Sequence, residues 1–256
     1  PLARRAAEVD ALIAASERQG RLLAIFQQSR FAPYFVKVRE VVASGVLGRI
    51  VAIKIRFNGF ARRWDWQTLQ EYAGGSLLNT GPHPLDQALQ LMACDGMPEV
   101  WCKMDRVNSY GDAEDYVKLL LTAPGKPLVD LEISSCDAYP RYTYQLQGSQ
   151  GGLAGTTSHL DWRYFDPAMA PTQRLIREPL PGPAYCSEQL PWQEASWDEP
   201  PEHKDLFATM AGRLYSNLYD ALTSGAPLVV TPAQVRQQIA VIEEAHRQNP
   251  LPRLSE

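Results

Sequence analysis

The 256-residue chain reads as an α+β protein: a large open sheet, mixed or antiparallel, with helices on one face. Two observations predict this. From Val51 onward, strand-like runs follow one another with short turns and no helix between them, as in an antiparallel or mixed sheet. Before and after that block, apolar residues recur at helical spacing.

Leu2, Ala6, Val9 and Ile13 form the first helical stripe, and Gly20 stands where a C-cap belongs. Residues 22–26 (LLAIF) follow as a continuous apolar run and read as a buried parallel strand, one whose sheet neighbours are missing from the sequence. Such a strand would leave an apolar edge exposed, for another copy of the chain to cover. Residues 33–45 read as a second helix ending at glycine, with Gly48 closing the turn. Val51, Ile53, Ile55 and Phe57 alternate with Ala52, Lys54 and Arg56, a strand with one apolar face. A helix is expected from about Gly75 or Pro84 to Met92, then strands at 100–104, 117–121, 129–133, 142–146 and 159–165. Residues 166–201 hold eight prolines and read as irregular. Phe207, Met210, Leu214, Leu218 and Ala221 mark a helix closed by Ser224-Gly225. Thr231, Pro232 and Gln234 then have the spacing of a capping box with proline at N1.

Composition bounds the function. The net charge of −4, with no block of Lys or Arg, argues against a nucleic-acid partner. No apolar run approaches the ~18 residues of a membrane span, and residues 1–10 have no hydrophobic signal core. The first residue, Pro1, and a helical pattern already under way suggest a chain entered in the middle. Cys94, Cys102, Cys136 and Cys186 form no C-x-x-C pair and read as reduced, mostly buried thiols of a cytoplasmic protein. There is no G-x-G-x-x-G, Walker pattern or G-x-S-x-G. Gly148-Ser149-Gln150-Gly151-Gly152 precedes no helix and reads as a strand-connecting turn rather than a phosphate loop. His159 and Asp161 share one face of a strand, but a metal needs a third ligand and none is identifiable. His203 and His246, at a helix start and a helix end, read as surface residues.

The strongest local feature is residues 74–86, Gly-Gly-Ser-Leu-Leu-Asn-Thr-Gly-Pro-His-Pro-Leu-Asp. If helical, it sets Asn79 and His83 one turn apart on one face, with Asp86 three residues further on. Pro82 and Pro84 each remove a backbone donor, so a kinked or restarting helix is expected, with His83 turned into a cleft. The alternative is a structural histidine satisfied by its neighbours. Upstream, Arg62-Arg63-Trp64-Asp65-Trp66, followed by Tyr72, combines aromatic faces with forked donors. Rings can stack on sugar C–H faces while Arg and Asp bond hydroxyls, although the tryptophans could equally anchor the loop on the core.

Together these residues resemble the Gfo/Idh/MocA family, relatives of glucose–fructose oxidoreductase and inositol dehydrogenase. Pro1 resembles the end of that family's Glu-Lys-Pro motif, and residues 2–28 the closing helix and strand of its Rossmann domain. Arg30-Phe31-Ala32-Pro33 and residues 44–50 resemble its R-F-x-P and G-x-L-G-x-I passage. Residues 74–86 resemble its G-G-x-L-x-D-x-G-x-H-x-x-D signature, and the stretch from Ser224 through the Thr231 helix resembles its final segment. The resemblance implies two parts: residues 1–28 as the remnant of a dinucleotide-binding domain, and 29–256 as an α+β substrate-binding and oligomerisation domain.

It further implies NAD or NADP in a longer parent, with no cofactor held by this chain alone, and homo-oligomers formed through the open sheet. By the same resemblance His83 is the acid/base on a substrate hydroxyl, with Asn79 beside it, and Arg30, Trp64, Trp66, Tyr72 and Asp86 are carried as substrate-binding candidates. Imidazole titrates near neutrality, which suits that role. Asn79 stands where many members have Asp, and an amide can orient a hydroxyl but cannot take its proton. The implied reaction is hydride transfer from a secondary alcohol of a sugar, cyclitol or glycoside. Two alternatives stay open: a non-catalytic scaffold on the same architecture, and glycoside cleavage through a redox cycle.

Overall fold

The computed structural model describes residues 1–182, 185–201 and 205–253. In chain order the elements are α1 (Ala6–Arg18), α2 (Pro33–Ala43), β1 (Ile50–Asn58), α3 (Ser76–Asn79), α4 (Pro82–Met92), β2 (Glu99–Asp105), β3 (Tyr116–Thr122), β4 (Leu128–Ser134), β5 (Tyr144–Gly148), β6 (Gly151–Gly155), β7 (His159–Tyr164), β8 (Gln193–Asp198), α5 (Leu206–Ser224) and α6 (Pro232–Gln248). The strands make one eight-stranded sheet, ordered β2-β3-β4-β1-β5-β6-β7-β8. Every neighbouring pair is antiparallel except β1 with β4.

Register explains the two faces. Ile53 lies opposite Val129 and Leu146, and Ile55 opposite Leu131 and Tyr144; all six are buried. Burying each such side chain stabilises the fold by roughly 1.5–3 kcal/mol before entropy is counted. Helices α4 and α6 pack on this face, and α1 packs on α6. On the other face, Lys54 lies opposite Asp130, and Arg56 and Lys118 opposite Glu132. Lys118 bonds Glu132 at 3.1 Å. Opposite charges facing each other across strands favour this register, because a one-residue slip would bury them.

Four expectations need correction. The reading of residues 22–26 as a buried strand fails: they pair with no strand among the described residues, and Leu22 and Phe26 are exposed, as expected of a segment without sheet neighbours. Phe26 rests its ring instead on Phe207 and Tyr215 of α5. The proline-rich span does contain a layer element, β8, which completes the sheet beyond β7. Its window, 193–198, is free of proline, so nothing there blocks the ladder. Strand β6 (GGLAG) was hidden because glycine carries no alternation; Ser149-Gln150 is the turn between it and β5. Of the four free cysteines only Cys102 is buried, Cys186 is exposed, and the other two are intermediate.

The ends of the chain follow the pattern expected of them. Thr231 accepts from the Gln234 amide at 3.3 Å and the Gln234 side chain accepts from the Thr231 amide at 3.1 Å, a complete capping box. Gly225, at φ +71°, ends α5 in the left-handed region. Among the described residues no helix is long and apolar enough to cross a membrane. His203 lies outside the described residues.

Candidate active site

Residues 74–86 fold as a turn and two helical pieces. Gly74 presses against Gln67, whose carbonyl oxygen would lie 2.3 Å from any added Cβ. Gly75 sits at φ +106°, where an added Cβ would meet the Glu114 carboxylate at 2.4 Å. Glycine is needed at both positions for close approach, and at Gly75 for its backbone angle as well. Helix α3 then makes a single turn, and α4 restarts at Pro82, where the missing N–H belongs to a first-turn residue with no helical partner in any case. The carbonyl of Pro82 accepts from the side-chain amides of Gln27, at 2.7 Å, and of Gln238.

His83 occupies the first turn of α4 and is half-buried. Its Nδ1 lies 3.2 Å from the Ser29 hydroxyl, and Nε2 has no hydrogen-bond partner among the described residues. Burial pushes its pKa down, partly opposed by Asp86, so the neutral imidazole is favoured near pH 7. A neutral ring with one nitrogen held and one open is equipped to receive a proton.

Asn79, exposed at the end of α3, donates to Gln67 Oε1 at 3.3 Å. It stands between two clefts. One, of about 560 Å³, is lined by Trp66, Tyr72, Leu78 and Asn79 together with the segment before α1. Trp66 and Tyr72 meet there edge to face, with ring centroids 6.3 Å apart. The second, of about 440 Å³, is polar, with Arg56, Asn58, Arg63, Glu114 and Ser134 around Asn79. Gln67 borders both. Arg63 bonds Asp65 at 3.0 and 2.8 Å, and Asp65 in turn accepts from the Gln67 amide at 3.0 Å, so the W-D-W loop is braced rather than loose.

The structure thus brings Trp66, Tyr72 and Asn79 together. Trp64 is exposed and lines neither cleft, and His83 lies behind them against Ser29. Arg30 and Asp86 are buried and spend their polar atoms on each other. Arg30 Nε meets Asp86 Oδ2 at 2.9 Å, its Nη2 meets Oδ1, and its Nη1 donates to the Val229 carbonyl at 2.8 Å and to Gln234 at 2.6 Å. That geometry locks α4 to α6 and leaves no group of either side chain turned to a cleft. Beyond the sequence candidates, Ser29, Gln67 and Glu114 belong to the site. Only Ser29 had a local signal, as neighbour of the Arg30 motif. His246, expected at the surface, is half-buried, with Nδ1 2.9 Å from the Ile242 carbonyl. Among the described residues no group of His, Cys, Asp and Glu is arranged to hold a metal ion.

Comparison with known proteins adds the following. Residues 35–154 match the GFO/IDH/MocA C-terminal domain. A mouse trans-1,2-dihydrobenzene-1,2-diol dehydrogenase is 30% identical over 155 residues, which is 59% of this chain and 44% of that protein. A scyllo-inositol 2-dehydrogenase (NADP(+)) of Bacillus subtilis is 26% identical over 124 residues, 47% of this chain and 34% of that one. The chain therefore spans less than half the length of either relative. Among solved structures, an oxidoreductase from Bacillus cereus superposes with a TM-score of 0.75 at 17% identity, covering 98% of this chain and 72% of that one. An Agrobacterium radiobacter oxidoreductase, solved with NAD+, L-tartaric acid and magnesium, gives 0.70 at 18% identity, covering 97% and 68%.

Proposed function

We propose that this chain, whose residues 35–154 match the GFO/IDH/MocA C-terminal domain, forms the substrate side of a Gfo/Idh/MocA oxidoreductase, at an NAD(P)-dependent site oxidising a secondary alcohol of a sugar, cyclitol or glycoside. The observation that carries the reading is His83, a half-buried neutral imidazole with Nδ1 on Ser29 and Nε2 open. Trp66 and Tyr72 offer aromatic faces to the C–H side of a hydroxylated ring, and Asn79 orients a hydroxyl. His83 Nε2 takes the hydroxyl proton as hydride leaves the same carbon. The nicotinamide would supply the hydride acceptor. Arg30 and Asp86 act from behind, fixing the helix on which His83 stands.

The cofactor's fit can be judged on residues 22–26. Their apolar run, unpaired among the described residues, and exposed Leu22 suit the edge of a parallel sheet, which a dinucleotide-binding domain supplies. Residues 1–28 are thus read as part of that domain and 29–256 as the substrate domain. The chain has no glycine-rich strand–turn–helix for a pyrophosphate, so binding of NAD or NADP by these 256 residues alone is expected to be negligible. The charged open face of the sheet is read as the surface that assembles copies of the chain.

The test is His83→Ala in the protein carrying its dinucleotide-binding domain. Turnover on a panel of sugars and cyclitols should fall on the order of 10²–10⁴-fold with cofactor affinity unchanged. Wild-type turnover retained by the variant would sink the reading. A scaffold, the reading that the Asn79 amide favours, predicts no turnover in either protein.

A further inference from the structure

Glu114 is 3% exposed and lies directly behind the Gly74-Gly75 turn. Its backbone carbonyl accepts from the Ser76 amide at 2.9 Å and its Oε1 from the Leu77 amide at 2.9 Å, so one residue holds the start of α3 twice. Oε2 points the other way, 3.9 Å from His246 Nε2 on α6. His246 Nδ1 faces the Ile242 carbonyl, which can only accept, so Nδ1 carries a hydrogen. With that hydrogen on Nδ1, the ring turns its other nitrogen, Nε2, toward Oε2. At 3.9 Å the contact is too long for a direct hydrogen bond and suits a bridging water.

The surroundings single this pair out. Glu114 lines the polar cleft beside Asn79 and also a third cleft, of about 540 Å³, shared with His246. The other charges facing it are engaged. Asp115 accepts three amides, from Val107, Asn108 and Ser109, while Arg5 pairs with Glu8 and Arg247 with Glu244. Arg4 donates to the Glu71 carbonyl and Glu243 accepts from the Ala6 amide; Arg253 also lines the third cleft. The Cys102 thiol, raised to about 12 by burial and then by Glu114, stays neutral.

We propose that Glu114 is a positioning residue of this site: backed by His246, it holds the first turn of α3 behind the Gly74-Gly75 turn and thereby sets where Asn79 stands. The proposal rests on the reading of residues 74–86 as the substrate side of an oxidoreductase. Its physical content is the Leu77 bond. With Glu114 ionised, that bond is charge-assisted and α3 is held tightly; with Glu114 neutral, it weakens to an ordinary amide bond and the turn loosens. Asn79 closes the same single turn, so it moves with it. Burial raises the Glu114 pKa and His246 opposes the rise, so the tight state lies above, and the loose state below, a midpoint higher than that of a free glutamate.

NMR of this chain, labelled with ¹³C at glutamate carboxyls and with ¹⁵N, tests the pair without reference to turnover. The Glu114 carboxyl should titrate above the ordinary range, and the Leu77 amide and the Asn79 side chain should shift with the same midpoint. His246→Gln should move that midpoint up. Glu114→Gln should abolish the Asn79 response, and Glu114→Asp should restore part of it. An Asn79 response that survives Glu114→Gln, or a midpoint indifferent to His246→Gln, overturns the proposal; should Glu114→Gln fail to fold, the His246 variant decides alone. Absence of wild-type turnover in the cofactor-bearing protein would defeat the oxidoreductase reading while leaving the link from Glu114 to Asn79 standing.

Discussion

Where α4 meets α6, Arg30, Asp86, Gln87 and Tyr144 are buried and their polar atoms are matched: Arg30 to Asp86, Val229 and Gln234, and Gln87 to the Ser29 carbonyl and the Tyr144 hydroxyl. Toward the clefts, Trp66, Tyr72 and Asn79 are exposed, and His83 keeps one ring nitrogen open. Asp86 and Gln87 of the first set and His83 of the second stand on the same helix, α4. The difference teaches that the buried polar groups here match one another and serve rigidity, whereas the candidate site keeps exposed side chains and one ring nitrogen without a partner among the described residues. A residue type alone does not say which it is; Asp86 and His83 are three positions apart and do opposite things.

The largest test of that contrast is Asp86→Ala, which leaves the Arg30 guanidinium buried without its counter-charge. Denaturant unfolding should show a loss of about 3–5 kcal/mol. A loss below about 1 kcal/mol would mean the back of α4 is no more rigid than its front. Trp66→Ala probes the other side. Being exposed, it should change stability by no more than about 0.5 kcal/mol, yet raise KM several-fold in the cofactor-bearing protein. Unchanged KM would return Trp66 to a loop anchor.

The smallest expected effect lies at the far edge of the sheet, where polar residues are neither buried nor catalytic. His159 Nδ1 meets Asp198 of β8 at 2.7 Å and its Nε2 meets Asp161 at 3.0 Å. Asp198 first, then Asp161, raises the His159 pKa. A raised histidine value means the clamp is fully present below the ordinary value, near ~6.5, and is lost as pH climbs through the raised one. Hydrogen exchange in β8, corrected for its intrinsic pH dependence, should therefore quicken over that window, and His159→Gln should remove the extra step. No difference between the two proteins would reduce the clamp to a surface contact.

Much of the fold is readable from local pattern. The alternation of β1, the apolar stripe of α5 and the capping box at Thr231 each declare an element within a few residues. What escapes is whatever depends on distant partners or on the absence of a side chain. Strand β6 is mostly glycine, β8 is a proline-free gap in a proline-rich stretch, and residues 22–26 have strand composition with nothing described to pair with. The parallel pairing of β1 with β4 joins residues more than seventy positions apart. The site divides the same way. Residues 74–86 stand out because glycine and proline mark unusual backbone. Glu114 and Ser29 join them only through contacts spanning 37 and 54 positions; beside Ser29 stands the Arg30 motif, and nothing in the neighbourhood of Glu114 announces it.

The Pro82 carbonyl, gripped by Gln27 and Gln238, has a consequence for the order in which the molecule is assembled. Those amides come from segments made early and late, so a ribosome-bound chain holds the first clamp long before the second exists. The bearing of His83 is therefore completed only once α6 has docked. Until then the chain can possess its sheet and still lack a settled start to α4.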